Sequence, residues 1–212
     1  MDKQILVAVD GSVYSSHSLD YLIRLFRDDR ELRIDLIGAV RDANSEIEPL
    51  YASSAGNTAT LSRHREEINT HLRDAKERLL RNGFLEDQVT SFVYTSPVPI
   101  ASSLHEYACK GHYDGLLIGR RGVGKVGELL MGSVSADLAR ECHDVPIWII
   151  DGDVSSTRFL LAAHGCPCSL LAADHLAFIL SSNPKVEVFI YHSNAVFKSF
   201  PPAPPEAFYT QW

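Results

Sequence analysis

Residues 119–133 read GRRGVGKVGELLMGS. The stretch follows an apolar run, Gly115-Leu116-Leu117-Ile118, with the character of a buried strand. It leads into Val134-Ser135-Ala136-Asp137-Leu138-Ala139, which has the character of the first turns of a helix. Strand, glycine-rich loop and helix start form an arrangement that binds phosphate. Glycine lets a backbone approach an anion closely. A helix start offers unpaired N–H groups and the positive end of a dipole. Ser133 stands where it can cap that helix or turn its hydroxyl to a phosphate oxygen.

The spacing sets this loop apart from better-known ones. No Gly-Lys-Ser/Thr closes it, so it is not a Walker loop, and Lys125 is not a Walker lysine. The dinucleotide fingerprint normally follows the first strand of its unit, whereas this loop comes after roughly four predicted strands. The glycines follow G-x2-G-x9-G-S at Gly119, Gly122, Gly132 and Ser133. At the other end of residues 1–151 stands Ile5-Leu6-Val7-Ala8-Val9-Asp10-Gly11-Ser12, an apolar strand running into an Asp-Gly-Ser turn. Together the two motifs resemble the ATP-binding branch of the universal stress protein family, and the resemblance covers that whole span.

Composition narrows the classes. A chain of 212 residues is long for one ordinary domain and short for two. A net charge of −7 argues against a broad basic surface for nucleic acid. Met1-Asp2-Lys3-Gln4 does not open a secretory signal, and no run approaches the ~18 apolar residues of a membrane span. A cytosolic protein is expected, with Cys109, Cys142, Cys166 and Cys168 as four free thiols. Cys166-Pro167-Cys168 is CxC rather than CxxC, a weak redox or metal signal. The nine histidines are scattered, no pair has a helical or finger metal spacing, and no metal site is assigned.

Along residues 1–152, strands are predicted at 3–9, 33–40, 88–94, 114–118 and 146–150. Helices are predicted from Ser15 or Ser16, over 61–81, over 99–110 and over 134–142. Arg41–Ala59 is polar, carries Pro49 and Gly56, and reads as a long loop of the kind that is functional or mobile. Alternation of strands and helices implies a doubly wound parallel sheet with helices on both faces. The family resemblance implies five strands in the order 3-2-1-4-5, the adenine nucleotide alpha hydrolase-like fold. The switch point then lies between strands 1 and 4, where ligands bind outside the carboxyl ends. Asp10 and Gly119 close those two strands. Residues 153–212 begin again with Arg158–Cys166, a degenerate likeness of Ile5–Ser12, then an apolar helix at 169–180 and a strand at 186–192. This β-α-β reads as a partial, degenerate second domain of the same family, ending in a Pro-rich, aromatic tail at 199–212. His164 stands where Asp10 stands in the first copy and reads as a relic.

Asp10 is by itself a turn former with Gly11 and Ser12. By resemblance it hydrogen-bonds the ribose or adenine side of a nucleotide, with Ala8 and Val9 against the adenine. Val40 matches the position that contacts adenine through its main chain, with Ala39 as the rival if the register is off by one. The phosphates would be held by Gly119, Gly122, Gly132 and Ser133 with an N–H from Val134, and Ile118 is taken into the nucleotide site. Arg120, Arg121 and Lys125 are cations in or beside the loop, of which Arg121 is taken into the site. No catalytic set is evident, and no acidic residue lies in the loop before Glu128. The resemblance implies an ATP-binding stress-response sensor or regulator, with or without Mg²⁺, and at most slow hydrolysis. The alternatives are a module for AMP or cyclic AMP, a nucleotide-dependent enzyme, and a partner-binding module without nucleotide. Family members pair the last strand of the sheet across a dimer axis, so a homodimer through Pro146–Ile150 with an exposed Trp148 is expected.

Overall fold

The computed structural model describes residues 3–41, 54–122, 131–163 and 166–192. Two compact units divide the chain, residues 1–155 and 156–212.

Unit 1 runs β1 (Lys3–Ala8), α1 (Val13–Phe26), β2 (Leu32–Arg41), α2 (Ser54–Arg81), β3 (Val89–Ser96), α3 (Ile100–Lys110), β4 (Gly115–Gly119), α4 (Ser133–Glu141) and β5 (Ile147–Ile150). The sheet order is β3-β2-β1-β4-β5 and every pairing is parallel. This is the doubly wound sheet expected from the alternation of elements. Side chains alternate between its faces. Leu6, Ile37, Leu116 and Ile118 pack with Ala101, Leu104 and Ala108 of α3 and Leu138 of α4. The opposite parity faces α1 and α2. At Gly38 a Cβ would lie 2.1 Å from the Ile68 side chain of α2, so β2 and α2 meet there with no room for any other residue. Near-complete burial of Leu6, Val7, Leu36, Ile37 and Leu116 explains why these strands are apolar on both faces.

Two polar groupings sit inside this apolar frame. Lys3 Nζ donates to Asp29 Oδ2 at 2.8 Å, with both side chains 4% exposed. The pair lies at the amino end of β1, remote from the carboxyl ends. Tyr113 donates to Asp35 at 2.6 Å. Burial, and next that bond, push its phenol well above the ordinary value, so it stays a neutral donor.

Several expectations change at element ends. Ser12 caps α1, accepting the Ser15 N–H on its hydroxyl, so the helix opens before Ser15. The expected 41–59 loop is shorter at both ends, because Arg41 belongs to β2 and Ser54 starts α2; residues 42–53 lie outside the described residues. Gly132, not Ser133, is the N-cap of α4. Trp148 is half-buried rather than exposed and tilts against Phe26 of α1 at 6.2 Å.

Unit 2 contains β6 (Arg158–Ala163), α5 (Pro167–Ile179) and β7 (Glu187–His192). The two strands pair in parallel, Phe159 opposite Val188 and Leu161 opposite Ile190. Contrary to the expectation of four free thiols, Cys166 and Cys168 are joined in a disulfide, while Cys109 and Cys142 are free. The Cys-X-Cys spacing at the start of a helix brings the two sulfurs within bonding reach. His164 and the tail 199–212 lie outside the described residues.

Candidate nucleotide site

The carboxyl ends of β1 and β4 open onto a cavity of about 270 Å³. Beside β1, the Asp10-Gly11-Ser12 turn is fully formed. Asp10 Oδ1 accepts the Ser12 N–H at 2.9 Å. Gly11 has φ +78°, which disfavours any side chain, and a Cβ there would lie 2.4 Å from the His71 ring. The turn spends one carboxylate oxygen on the backbone and leaves Oδ2 facing Gly122.

Each loop glycine has its own physical reason. A Cβ on Gly119 would lie 2.7 Å from the Tyr14 backbone, so this glycine lets β4 pack against the start of α1. A Cβ on Gly122 would lie 2.6 Å from Asp10 Oδ2, so this glycine brings the loop against the carboxylate. At Gly132 a Cβ would meet the Arg120 carbonyl and Arg121 Cα at 3.2 Å. There the Gly132 N–H donates to the Arg120 carbonyl at 3.0 Å, closing the base of the loop. Residues 123–130, including Lys125 and Glu128, lie outside the described residues.

The start of α4 supplies the donors. Its N-cap glycine makes no side-chain cap bond, and its first backbone bond within the helix runs from Ala136 N–H to the Gly132 carbonyl. The N–H groups of Ser133, Val134 and Ser135 therefore precede the helical ladder at a positive dipole end. The Ser135 hydroxyl is engaged with the Gly119 carbonyl at 2.8 Å. Arg121 adds a full positive charge. Its guanidinium lies 5.2 Å from the Tyr14 ring centroid and donates to the Tyr14 hydroxyl at 2.7 Å. Arg120 turns away to pair with Asp151.

Ten of the eleven residues assigned from sequence line this cavity: Ala8, Val9, Asp10, Ile118, Gly119, Arg121, Gly122, Gly132, Ser133 and Val134. Val40 does not. It is 1% exposed and shares the parity of Gly38, which faces α2. Ala39 lines the cavity in its place, so the register is displaced by one residue. Ser15, Ile37, Ile100, Leu104 and Ser135 also line it and were not singled out. Ile100 and Leu104 carry a usable signal, an i,i+4 apolar pair at the start of α3.

The described lining fits an adenine nucleotide by its donor set. Small and apolar side chains, Ala8, Ala39, Ile37 and Ile100, line part of the wall, while backbone donors and Arg121 belong to the loop and the start of α4. The glycine cradle at Gly122 and Gly132 is one that added side chains would fill.

Comparison with known proteins places this geometry in context. The model of the universal stress protein family matches residues 1–150. No curated protein matches the chain. A universal stress protein of Burkholderia pseudomallei is 24% identical, with a TM-score of 0.53 over 70% of this chain and 95% of that one. Universal stress protein UspA of Lactobacillus plantarum is 15% identical, with a TM-score of 0.54 over 70% and 96%. A universal stress protein of Archaeoglobus fulgidus DSM 4304 is 18% identical, with a TM-score of 0.63 over 89% of this chain and 66% of that one. These likenesses establish the fold. Among the described residues no helix is long and apolar enough to cross a membrane.

Proposed function

As the chain belongs to the universal stress protein family, we propose that unit 1 binds ATP between Asp10 and the 119–133 loop and acts as a cytosolic stress-response sensor or regulator. The observation that carries this reading is convergence: the β1 turn, the glycine cradle and the uncapped start of α4 all border one cavity at the switch point. In this reading Ala8, Val9 and Ala39 flank the adenine, and Ala39 replaces Val40 as the main-chain contact. Asp10 Oδ2 accepts from a ribose hydroxyl. Ser133 and Val134 direct N–H groups to phosphate, and Arg121 balances its charge. When bound, ATP brings its own phosphate charge and can bring Mg²⁺ with it.

Hydrolysis is expected to be slow. Asp10 is the one carboxylate among the described lining residues, and it already holds the Ser12 N–H. No other group there is placed to take a proton from water. The cavity volume, about 270 Å³, lies just below the roughly 300–1,000 Å³ usual for ligand sites, and AMP or cyclic AMP is the second reading. The two share the base pocket and differ at the phosphate end.

Unit 2 is part of the same proposal, as a partial, degenerate second domain over 153–212. Its parallel β-α-β order repeats that of β1-α1-β2. The Archaeoglobus likeness extends over a larger share of the chain than unit 1 alone supplies. A homodimer through Pro146–Ile150 is supported by the edge position of β5, which pairs within the sheet with β4.

The test is direct. Purified protein is heat-denatured and the supernatant is resolved by chromatography for released nucleotide, then the emptied protein is titrated with ATP, AMP and cyclic AMP. ATP recovered or bound most tightly supports the first reading, and preference for AMP or cyclic AMP selects the second. No affinity for any of the three contradicts both.

A further inference from the structure

Away from the cavity, α3 turns a different set of side chains toward the connection between α4 and β5. His105 and Cys109 stand four residues apart on α3 and so share one face of the helix. Asp144 approaches them from the turn that follows α4. One ligand atom from each, an imidazole nitrogen, a thiol sulfur and a carboxylate oxygen, lie within 4.8 Å of one another. His105 Nε2 is buried and has no hydrogen-bond partner; Asp144 Oδ2 stands 3.4 Å away. A buried imidazole nitrogen whose one close polar neighbour is an exposed carboxylate at 3.4 Å is under-satisfied, and a cation shared with the nearby thiol would satisfy all three groups.

We propose that His105, Cys109 and Asp144 form a zinc site that ties the middle of α3 to the α4–β5 turn. The donors determine the metal. A thiolate with an imidazole suits Zn²⁺, whereas Mg²⁺ and Ca²⁺ take oxygen ligands. Tetrahedral zinc, with bonds of about 2.0–2.3 Å, needs ligand atoms roughly 3.4–3.6 Å apart. The 3.4 Å between His105 Nε2 and Asp144 Oδ2 already meets this, and the Cys109 sulfur, within 4.8 Å of the other ligand atoms, closes the set by moving in roughly 1 Å. Cys142 is nearby in sequence, but its thiol is directed at the Val145 carbonyl at 3.7 Å. A water therefore completes the fourth position. A search for histidine pairs overlooks this set, because its helical pair is histidine with cysteine.

The site has a mechanical consequence. Ile100 and Leu104 of α3 line the nucleotide cavity, and α4 carries its anion-binding start. A metal holding α3 to the turn after α4 fixes both walls from behind. The inference stands on its own observations and does not depend on nucleotide binding.

The reduced, metal-free full chain is titrated with Co²⁺ while its absorption is recorded, and the bound Co²⁺ is then displaced with Zn²⁺. One equivalent of Co²⁺ per chain is expected, with tetrahedral visible bands and a thiolate charge-transfer band in the near ultraviolet. Cys109→Ser removes the charge-transfer band, and His105→Gln weakens Co²⁺ at least tenfold. Circular dichroism confirms that each variant is folded; if Cys109→Ser is not, His105→Gln and Asp144→Asn carry the test, each expected to weaken binding at least tenfold. Cys142→Ser and the double variant Cys166→Ser/Cys168→Ser keep the spectrum. Zn²⁺ also raises the melting temperature of the native chain and not that of His105→Gln. Absence of a charge-transfer band, its survival in His105→Gln at unchanged affinity, or its loss in Cys142→Ser overturns the proposal.

Discussion

β1-α1-β2 and β6-α5-β7 have the same order and polarity, with first strands and helices of nearly equal length, yet differ in what surrounds them. In the first, β3 and β4 flank the strand pair, and α1 and α2 cover one face while α3 and α4 cover the other. Leu6, Val7, Leu36 and Ile37 are consequently buried. In the second, the described strands pair with one another in a two-stranded sheet, and all of β7 is exposed, including Phe189 at 53% and Ile190 at 71%. α5 is apolar round much of its circumference, from Leu170 and Leu171 to Phe178 and Ile179. A helix of that kind asks for cover on several sides. The local pattern of a β-α-β unit thus specifies elements and polarity, whereas burial and a ligand crevice depend on strands that arrive later in the chain.

The turns differ in the same way. After β1, Asp10 accepts the Ser12 N–H, Gly11 takes a positive φ and Ser12 caps α1. α5 instead starts at a Cys166 N-cap that makes no side-chain cap bond, with Pro167 at its first position. The structure of the first turn is used twice, to begin a helix and to aim a carboxylate.

The contrast can be broken most strongly at the buried ion pair. Lys3→Met leaves the Asp29 carboxylate without its ammonium partner and is expected to cost unit 1 about 3–5 kcal/mol. Urea unfolding followed by Trp148 fluorescence, in a Trp212→Phe background, measures it; a loss below about 1 kcal/mol would mean that the Glu31 N–H, which Asp29 Oδ1 already accepts, and the carboxylate's other surroundings hold the charge without Lys3.

Next in size is Gly132→Val. Its Cβ already meets the loop backbone at 3.2 Å, and the added methyls displace the start of α4. Nucleotide affinity should fall by at least about 100-fold, roughly 2.7 kcal/mol, with the far-ultraviolet spectrum intact. Retained affinity would remove the helix start from the site.

Asp10→Ala removes one charged acceptor and should cost about 1.5–3 kcal/mol of nucleotide binding. Equal affinities for the variant and the native chain would leave Asp10 as a turn former alone. The smallest effect is on capping. Ser12→Ala should lower stability by about 1 kcal/mol, while Cys166→Ala, compared under reducing conditions, should not lower that of unit 2 through any lost cap. Equal losses at both would erase the difference between the two turns.

Much of this was legible in the sequence. Apolar runs with helical segments between them located all seven strands among the described residues, and the Asp-Gly-Ser and glycine-loop motifs fall at the crevice. What escaped follows from distance along the chain. Gly119 reads as a phosphate glycine, but its position is required by Tyr14, over a hundred residues earlier. Val40 and Ala39 differ by one step of a strand, and only pairing with β1 and cover by α2 determine which faces the cavity. Lys3 and Asp29 are ordinary charges until folding buries them together. Ser15 and Ser135 give no sign of their place in the cavity wall, because the Ser15 hydroxyl bonds the nearby Ser12 carbonyl and the Ser135 hydroxyl reaches back across the loop to the Gly119 carbonyl. The Cys166–Cys168 bond follows from local geometry that composition alone does not express.

The central claim is that one crevice, built by β1, β4 and α4, binds nucleotide while the second β-α-β does not. Isothermal titration of ATP into nucleotide-free chain, native and Gly132→Val, tests it. The account predicts one equivalent of ATP per chain for the native protein and none for the variant. Two equivalents per chain, or one equivalent retained in Gly132→Val, would contradict it.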